Sequence, residues 1–162
     1  MTTRKTDTET NSVNQNKKVL DTIIIGTGFS GICMAIKLKQ AEIGSIKILE
    51  QRDTIGGTWR DNTYPGAECD VQSHLYSFSF EPNPNWKKMF GEQSEILAYM
   101  NFCVDKYDLR HLIEFNTSVK GIYFQEESGI WEVHTESGQI FLAHTVVSGN
   151  GGLSRPSLRD IK

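Results

Sequence analysis

The sequence predicts an α/β fold: a parallel sheet with an antiparallel β-meander inserted into it. Three observations predict this. A β-branched run, Asp21-Thr22-Ile23-Ile24-Ile25, passes without a break into Gly26-Thr27-Gly28-Phe29-Ser30-Gly31. The next residues, Ile32 to Leu38, are apolar almost all round a helical wheel and lead to a second strand-like run, Ile46-Lys47-Ile48-Leu49, closed by Glu50. The last third of the chain alternates with period two between turn signals, which predicts strands rather than helix.

Taken in order, the first eighteen residues hold no aromatic side chain and are dominated by Thr, Asn, Lys and Asp. Such a segment cannot bury enough surface to offset its ordering entropy, so residues 1–18 are expected to form a mobile polar tail ahead of one domain over 19–162. The tail lacks the apolar stretch of a secretory signal, and no later run has the length of a membrane span. A cytoplasmic protein is the expectation. The formal net charge of −3 gives no reason to expect nucleic acid or an anionic membrane as partner. Cys33, Cys69 and Cys103 show no C-x-x-C spacing and are expected to be reduced core thiols. The four histidines, His74, His111, His134 and His144, lack metal-ligand spacing, so no metal is expected.

The strand, G-x-G-x-x-G, helix, strand order is that of a Rossmann-type dinucleotide-binding unit. Gly26 lets the chain turn off the strand, Gly28 lets backbone approach a pyrophosphate, and Gly31 permits close helix–strand packing. Phe29 and Ser30 open the helix, whose free N–H groups suit an anion. Glu50 follows Gly31 by about the 20 residues expected of a ribose-binding acid. A carboxylate there would repel a 2′-phosphate, which favours FAD or NAD over NADP.

Beyond Glu50 comes a long Gly-, Asn- and Asp-rich loop with Gly56-Gly57-Thr58-Trp59 and an exposed-looking indole, running to about Gly66. Loops of that length in compact domains are usually functional. Tyr64-Pro65-Gly66-Ala67-Glu68-Cys69-Asp70 follows, then Ser73-His74-Leu75-Tyr76-Ser77-Phe78-Ser79-Phe80, where Tyr76, Phe78 and Phe80 alternate like strand residues facing a core. Asp70 fits either a functional carboxylate or an Asx-type cap on the Val71 segment. Trp59 fits either a cofactor wall or a core aromatic. Two prolines mark a break at Glu81 to Trp86. Ser94 to Tyr107 is expected to be an amphipathic helix with Ser94 as N-cap and Ile96, Leu97, Met100, Cys103, Val104 and Tyr107 on one face. Leu112 to Asn116 is a short strand. Val119 to Gln125, Ile130 to Thr135 and Gln139 to Ala143 form the meander, and Thr145 to Ser148 is a further buried strand ending in Gly149-Asn150-Gly151-Gly152.

G-G-T-W, Y-P-G-A-x-C-D and S-x-x-Y-S-F-S-F, in this order, resemble the class B flavoprotein monooxygenases, most of all their Baeyer–Villiger branch; the amine- and sulfide-oxidising flavin-containing monooxygenases are near relatives. The resemblance runs from about Val19 to Lys162. It implies that Gly26, Gly28 and Gly31 hold FAD with Phe29 and Ser30, and that Glu50 takes the ribose. Gly57, Thr58 and Trp59 would approach the pyrophosphate and ring, and Tyr76 the flavin. The backbone of Val119 would meet the adenine, although packing alone would also explain that residue. Asp70, followed by Val71, matches an aspartate that lies near the isoalloxazine and positions an arginine from later in the chain; it favours Baeyer–Villiger chemistry over amine oxidation. Gly149-Asn150 departs from the family's usual Ala-Thr but keeps small residues. Leu153-Ser154-Arg155-Pro156 fits the exit to a second domain.

The implied activity is FAD- and NADPH-dependent insertion of one oxygen atom of O₂ into a ketone or aldehyde, through a peroxide at flavin C4a. The small-molecule substrate and O₂ would be the partners. The NADPH site and the catalytic arginine have no counterpart here, so the expectation is a portion truncated before the NADPH domain and inactive by itself. A non-catalytic flavin-binding module is the alternative from another class.

Overall fold

The computed structural model describes residues 18–152. The expected tail therefore lies outside the described residues except for Lys18, and the exit segment after Gly152 lies outside them altogether. The elements in order are β1 (Val19–Ile25), α1 (Phe29–Gln40), β2 (Ile46–Leu49), α2 (Thr58–Asp61), β3 (Glu68–Gln72), β4 (Phe90–Glu92), α3 (Gln93–Lys106), β5 (Ile113–Glu114), β6 (Val119–Gln125), β7 (Ile130–Thr135) and β8 (Ile140–Ser148).

Six strands form one mixed sheet in the order β5-β2-β1-β8-β7-β6, and β3 and β4 form a separate two-stranded ribbon. β1 pairs in parallel with β2 and with β8, while β6, β7 and β8 run antiparallel to one another. The α/β class, the parallel unit and the meander are thus all present. β8 joins them. Sequence periodicity separates 139–143 from 145–148, but the structure has one continuous strand through the exposed His144. Its first residues pair with β7, and Leu142 to Ser148 run beside Val19 to Ile25. A strand that is antiparallel to one neighbour and parallel to the other has two hydrophobic patterns superposed, so its break in alternation marks a change of neighbour and not an end.

Ile23 and Ile24, adjacent on β1 and both fully buried, point to opposite faces of the sheet. Ile24 packs with Ile32 and Ile36 of α1 and Met100, Cys103 and Val104 of α3. Ile23 belongs to a smaller cluster with Leu49, Val133 and Ala143. α1 is less enclosed than its sequence implies, since Met34 is exposed and Cys33 half-buried. Of the expected core thiols, Cys69 and Cys103 are buried; all three are unpaired.

Two local expectations are corrected, and one short strand is added to them. α3 begins one residue early, at Gln93, with Glu92 in the N-cap position and no side-chain cap, so Ser94 lies inside the helix. Phe90 to Glu92 forms β4, too short to show a period. Tyr76 to Phe80 is not a strand. Ser73–Leu75 is a 3₁₀ turn, and Phe78 makes an isolated bridge to Glu81. The hydroxyl of Tyr99 on α3 accepts from the Phe78 amide at 2.8 Å and donates to the Glu81 carbonyl at 2.7 Å, occupying groups that a strand ladder would have used. Phe78 and Phe80 instead stack at 5.1 Å, and Phe29 meets Phe78 at 5.2 Å.

Candidate functional site

A cleft of about 1160 Å³ opens where β1, β2 and β8 end at Gly26, Glu50 and Gly149. The carboxyl ends of neighbouring parallel strands are where open α/β sheets place their ligands. Its floor is a crossing of glycines. The Gly149 amide donates to the Ile25 carbonyl at 2.8 Å, and a Cβ on Gly26 would lie 2.8 Å from the Gly149 carbonyl oxygen. Gly26 also has φ +93°, which side chains rarely adopt. A Cβ on Gly31 would collide with the Gly26 carbonyl oxygen. By contrast, a Cβ on Gly28 would meet no protein atom within 4 Å. The bare Cα of Gly28 therefore faces open space at the start of α1, a cradle that fits a pyrophosphate.

Gly26, Gly28, Phe29 and Ser30 all line the cleft. So do Gly57, Thr58 and Trp59, which the loop after β2 brings back over the glycine turn: a Cβ on Gly57 would sit 3.1 Å from Gly28 Cα. Asp70 and Tyr76 contribute from β3 and the turn after it, and Val119 from the start of β6. Gly31 and Val71 are not part of the lining. Gly31 is buried beneath the turn, and Val71 is exposed on β3.

Glu50 is almost wholly buried, with a carboxylate enclosed by protein donors. Oε2 accepts from the Thr27 amide at 2.9 Å and from the Thr27 hydroxyl, and Oε1 accepts from the Arg52 amide at 3.0 Å. The Arg60 guanidinium forms an ion pair with Oε1 at 3.2 Å. Arg60 also holds Asp61 at 2.8 Å and donates to the Thr54 carbonyl at 2.7 Å. Burial opposes the charge on Arg60, but Asp61 and Glu50 outweigh it and raise its pKa; the hydrogen bond from Arg60 lowers that of Asp61.

Trp59 is half-buried, not exposed as its loop position suggests. Its Nε1 donates to the Tyr76 hydroxyl at 3.0 Å, and burial pushes the Tyr76 phenol up despite that bond. Asp70 lies mid-strand on β3 with its side chain exposed, so it caps no turn. Its Oδ1 is 3.9 Å from the Cys69 thiol. Arg60 and Thr27 are among the cleft residues that sequence reasoning did not single out. Thr27 could have been found as the second residue of the glycine turn, but Arg60 follows Trp59 in a loop without periodicity. Among the described residues no group of three or more His, Cys, Asp or Glu side chains could hold a metal ion, and no helix is long and apolar enough to cross a membrane.

Residues 24–92 match the family described as NAD(P)-binding Rossmann-like domain. A Baeyer–Villiger monooxygenase of Pseudomonas aeruginosa is 49% identical over 134 residues, which cover 83% of this chain and 25% of the relative. One from Streptomyces coelicolor is 44% identical over 138 residues, covering 85% and 26%. The crystal structure of cyclohexanone monooxygenase from Rhodococcus sp. Phi1 bound to NADP⁺ superposes with a TM-score of 0.82 at 38% identity, covering 90% of this chain and 28% of that one. The chain thus spans about a quarter of the length of the curated relatives it matches. Over that quarter, in sequence and in fold, it belongs to the class B flavoprotein monooxygenase family.

Proposed function

We propose that this chain is the FAD-holding part of an FAD- and NADPH-dependent monooxygenase that inserts one oxygen atom of O₂ into a ketone or aldehyde. The observation that carries this is one cleft lined by the Gly26–Gly28 turn, a buried acid at the end of β2, and the Trp59, Asp70 and Tyr76 side chains. When bound, the flavin supplies electron transfer from NADPH and the activation of O₂. The residues of this chain position it. The open Cα of Gly28 and the first amides of α1, at Phe29 and Ser30, receive the pyrophosphate, and Glu50 receives the adenosine ribose. Val119 offers backbone to the adenine. Gly57 and Thr58 close over the pyrophosphate, while Trp59 and Tyr76 wall the ring and exclude water.

Asp70 is assigned to the isoalloxazine, where it orients an arginine contributed by polypeptide outside this chain. Its exposure on β3 supports that reading, because a carboxylate awaiting a cationic partner bears no burial cost until the partner arrives. The NADPH site is likewise assigned mostly to polypeptide beyond the matched quarter, so the chain by itself is proposed to be inactive as an oxygenase.

The test is a titration of the purified chain with FAD and with NADP⁺, followed by gel filtration. Retention of FAD and not of NADP⁺ is expected; preference for NADP⁺, or no retention of FAD, sinks the proposal. A chimera in which this chain replaces the matched quarter of the Pseudomonas aeruginosa relative then tests the reaction. Ester or lactone from a ketone is expected, and Asp70→Ala should keep FAD while losing product.

A further inference from the structure

We propose that Arg60 is a positioning residue that fixes the Glu50 carboxylate for the ribose diol of the bound dinucleotide; this rests on the FAD proposal above. Glu50 and Arg60 are both nearly enclosed, with side chains 4% and 13% exposed. An ionised carboxylate so deeply buried needs a compensating charge. Arg60 is the cation that the structure sets against it.

The geometry divides the work between the two carboxylate oxygens. Oε1 is held by the Arg52 amide and by Arg60, and Oε2 by the Thr27 amide and hydroxyl. A carboxylate accepts at about four sites, so every site is engaged by protein. Backbone amides cannot move aside, and Arg60 is anchored independently by the Thr54 carbonyl and Asp61. Rotation of the Thr27 side chain about Cα–Cβ can swing its hydroxyl oxygen off Oε2. A ribose hydroxyl can therefore take its place on Oε2 while Arg60 keeps Oε1 and the plane of the carboxylate fixed. Holding an acceptor in its binding orientation before the ligand arrives removes an ordering cost from association. Arg60 also adjoins Trp59 on α2, so one short helix ties the ribose acid to the Trp59–Tyr76 pair.

The test uses ADP and 2′-deoxy-ADP as probes beside FAD, with the parent chain, Arg60→Met, Arg60→Gln and Arg60→Lys. The parent should prefer ADP over 2′-deoxy-ADP by about tenfold or more, as a hydrogen bond to a charged acceptor gives. Arg60→Met should retain less than about a twofold preference and weaken FAD by about tenfold, with Arg60→Lys restoring part of both. Arg60→Gln, which keeps an amide donor without the charge, should also lose the preference, and it decides the matter if the methionine variant does not fold. A folded Arg60→Met or Arg60→Gln that keeps the parent's ratio, even with all affinities reduced, overturns the positioning role and leaves the FAD proposal standing. A parent that binds neither FAD nor ADP overturns both.

Discussion

The indole Nε1 of Trp59 donates to the hydroxyl of Tyr76 at 3.0 Å, with the two rings edge to face at a centroid distance of 5.5 Å. Seventeen residues separate them, and the bond joins α2 to the turn after β3 across one wall of the cleft. Tyr76→Phe leaves the half-buried indole without that acceptor. The expected cost is about 1 kcal/mol in urea unfolding, with a shift in tryptophan emission. Emission and midpoint equal to the parent's would show that water replaces the hydroxyl at no cost.

Gly28 and Gly31, three positions apart in the same turn, should respond oppositely to substitution. Gly28 has a negative φ of −72° and free space around a hypothetical Cβ, so Gly28→Val should fold, with a melting temperature close to the parent's, and fail to retain FAD. Gly31→Ala drives its Cβ into the Gly26 carbonyl, a backbone atom that cannot swing aside, and should destabilise by about 3 kcal/mol or more. Thermal melts together with FAD co-elution separate the two; a yellow Gly28→Val protein refutes the pyrophosphate cradle.

Tyr99 is buried and its hydroxyl satisfies both the Phe78 amide and the Glu81 carbonyl. Tyr99→Phe strands two backbone groups and should cost about 2 kcal/mol by urea denaturation. A loss below the error of that measurement would mean that the 76–81 segment finds other partners.

Glu81 gives a pH signature. The hydrogen bond from Lys106, assisted by that from Tyr107 and opposed by burial, holds its carboxyl below the ordinary value of 4.5. A depressed folded-state pKa contributes stability above the unfolded value and loses it as pH falls through the folded one. Parent stability should therefore decline as pH drops below about 4.5, and Glu81→Gln should be less stable at neutral pH with a shallower acid decline. Parallel melting-temperature profiles for the two proteins would count against this role.

Much of the cleft lining was legible because its signals are local. The spacing of Gly26, Gly28, Gly31 and Glu50 follows from a fixed sequence of strand, turn, helix and strand, and all but the buried Gly31 reach the cleft. The boundaries of β6 and β7 follow from period-two patterning with clear turns. The errors fall where another part of the chain overrides that patterning. Tyr76 to Phe80 alternates like a strand, yet Tyr99 takes its backbone partners. The break at His144 reads as an end, yet β1 continues alongside.

The sequence by itself determined the α/β class, the nucleotide turn, the acid at the end of β2 and the meander, because each depends on short-range spacing that the backbone geometry enforces. Only the tertiary structure decided which side chains meet over the cleft: Arg60 with Glu50, Trp59 with Tyr76, and Gly149 beneath Gly26. These contacts join irregular loops to distant elements. Their distances are set by how the loops fold over the sheet, which no periodicity encodes.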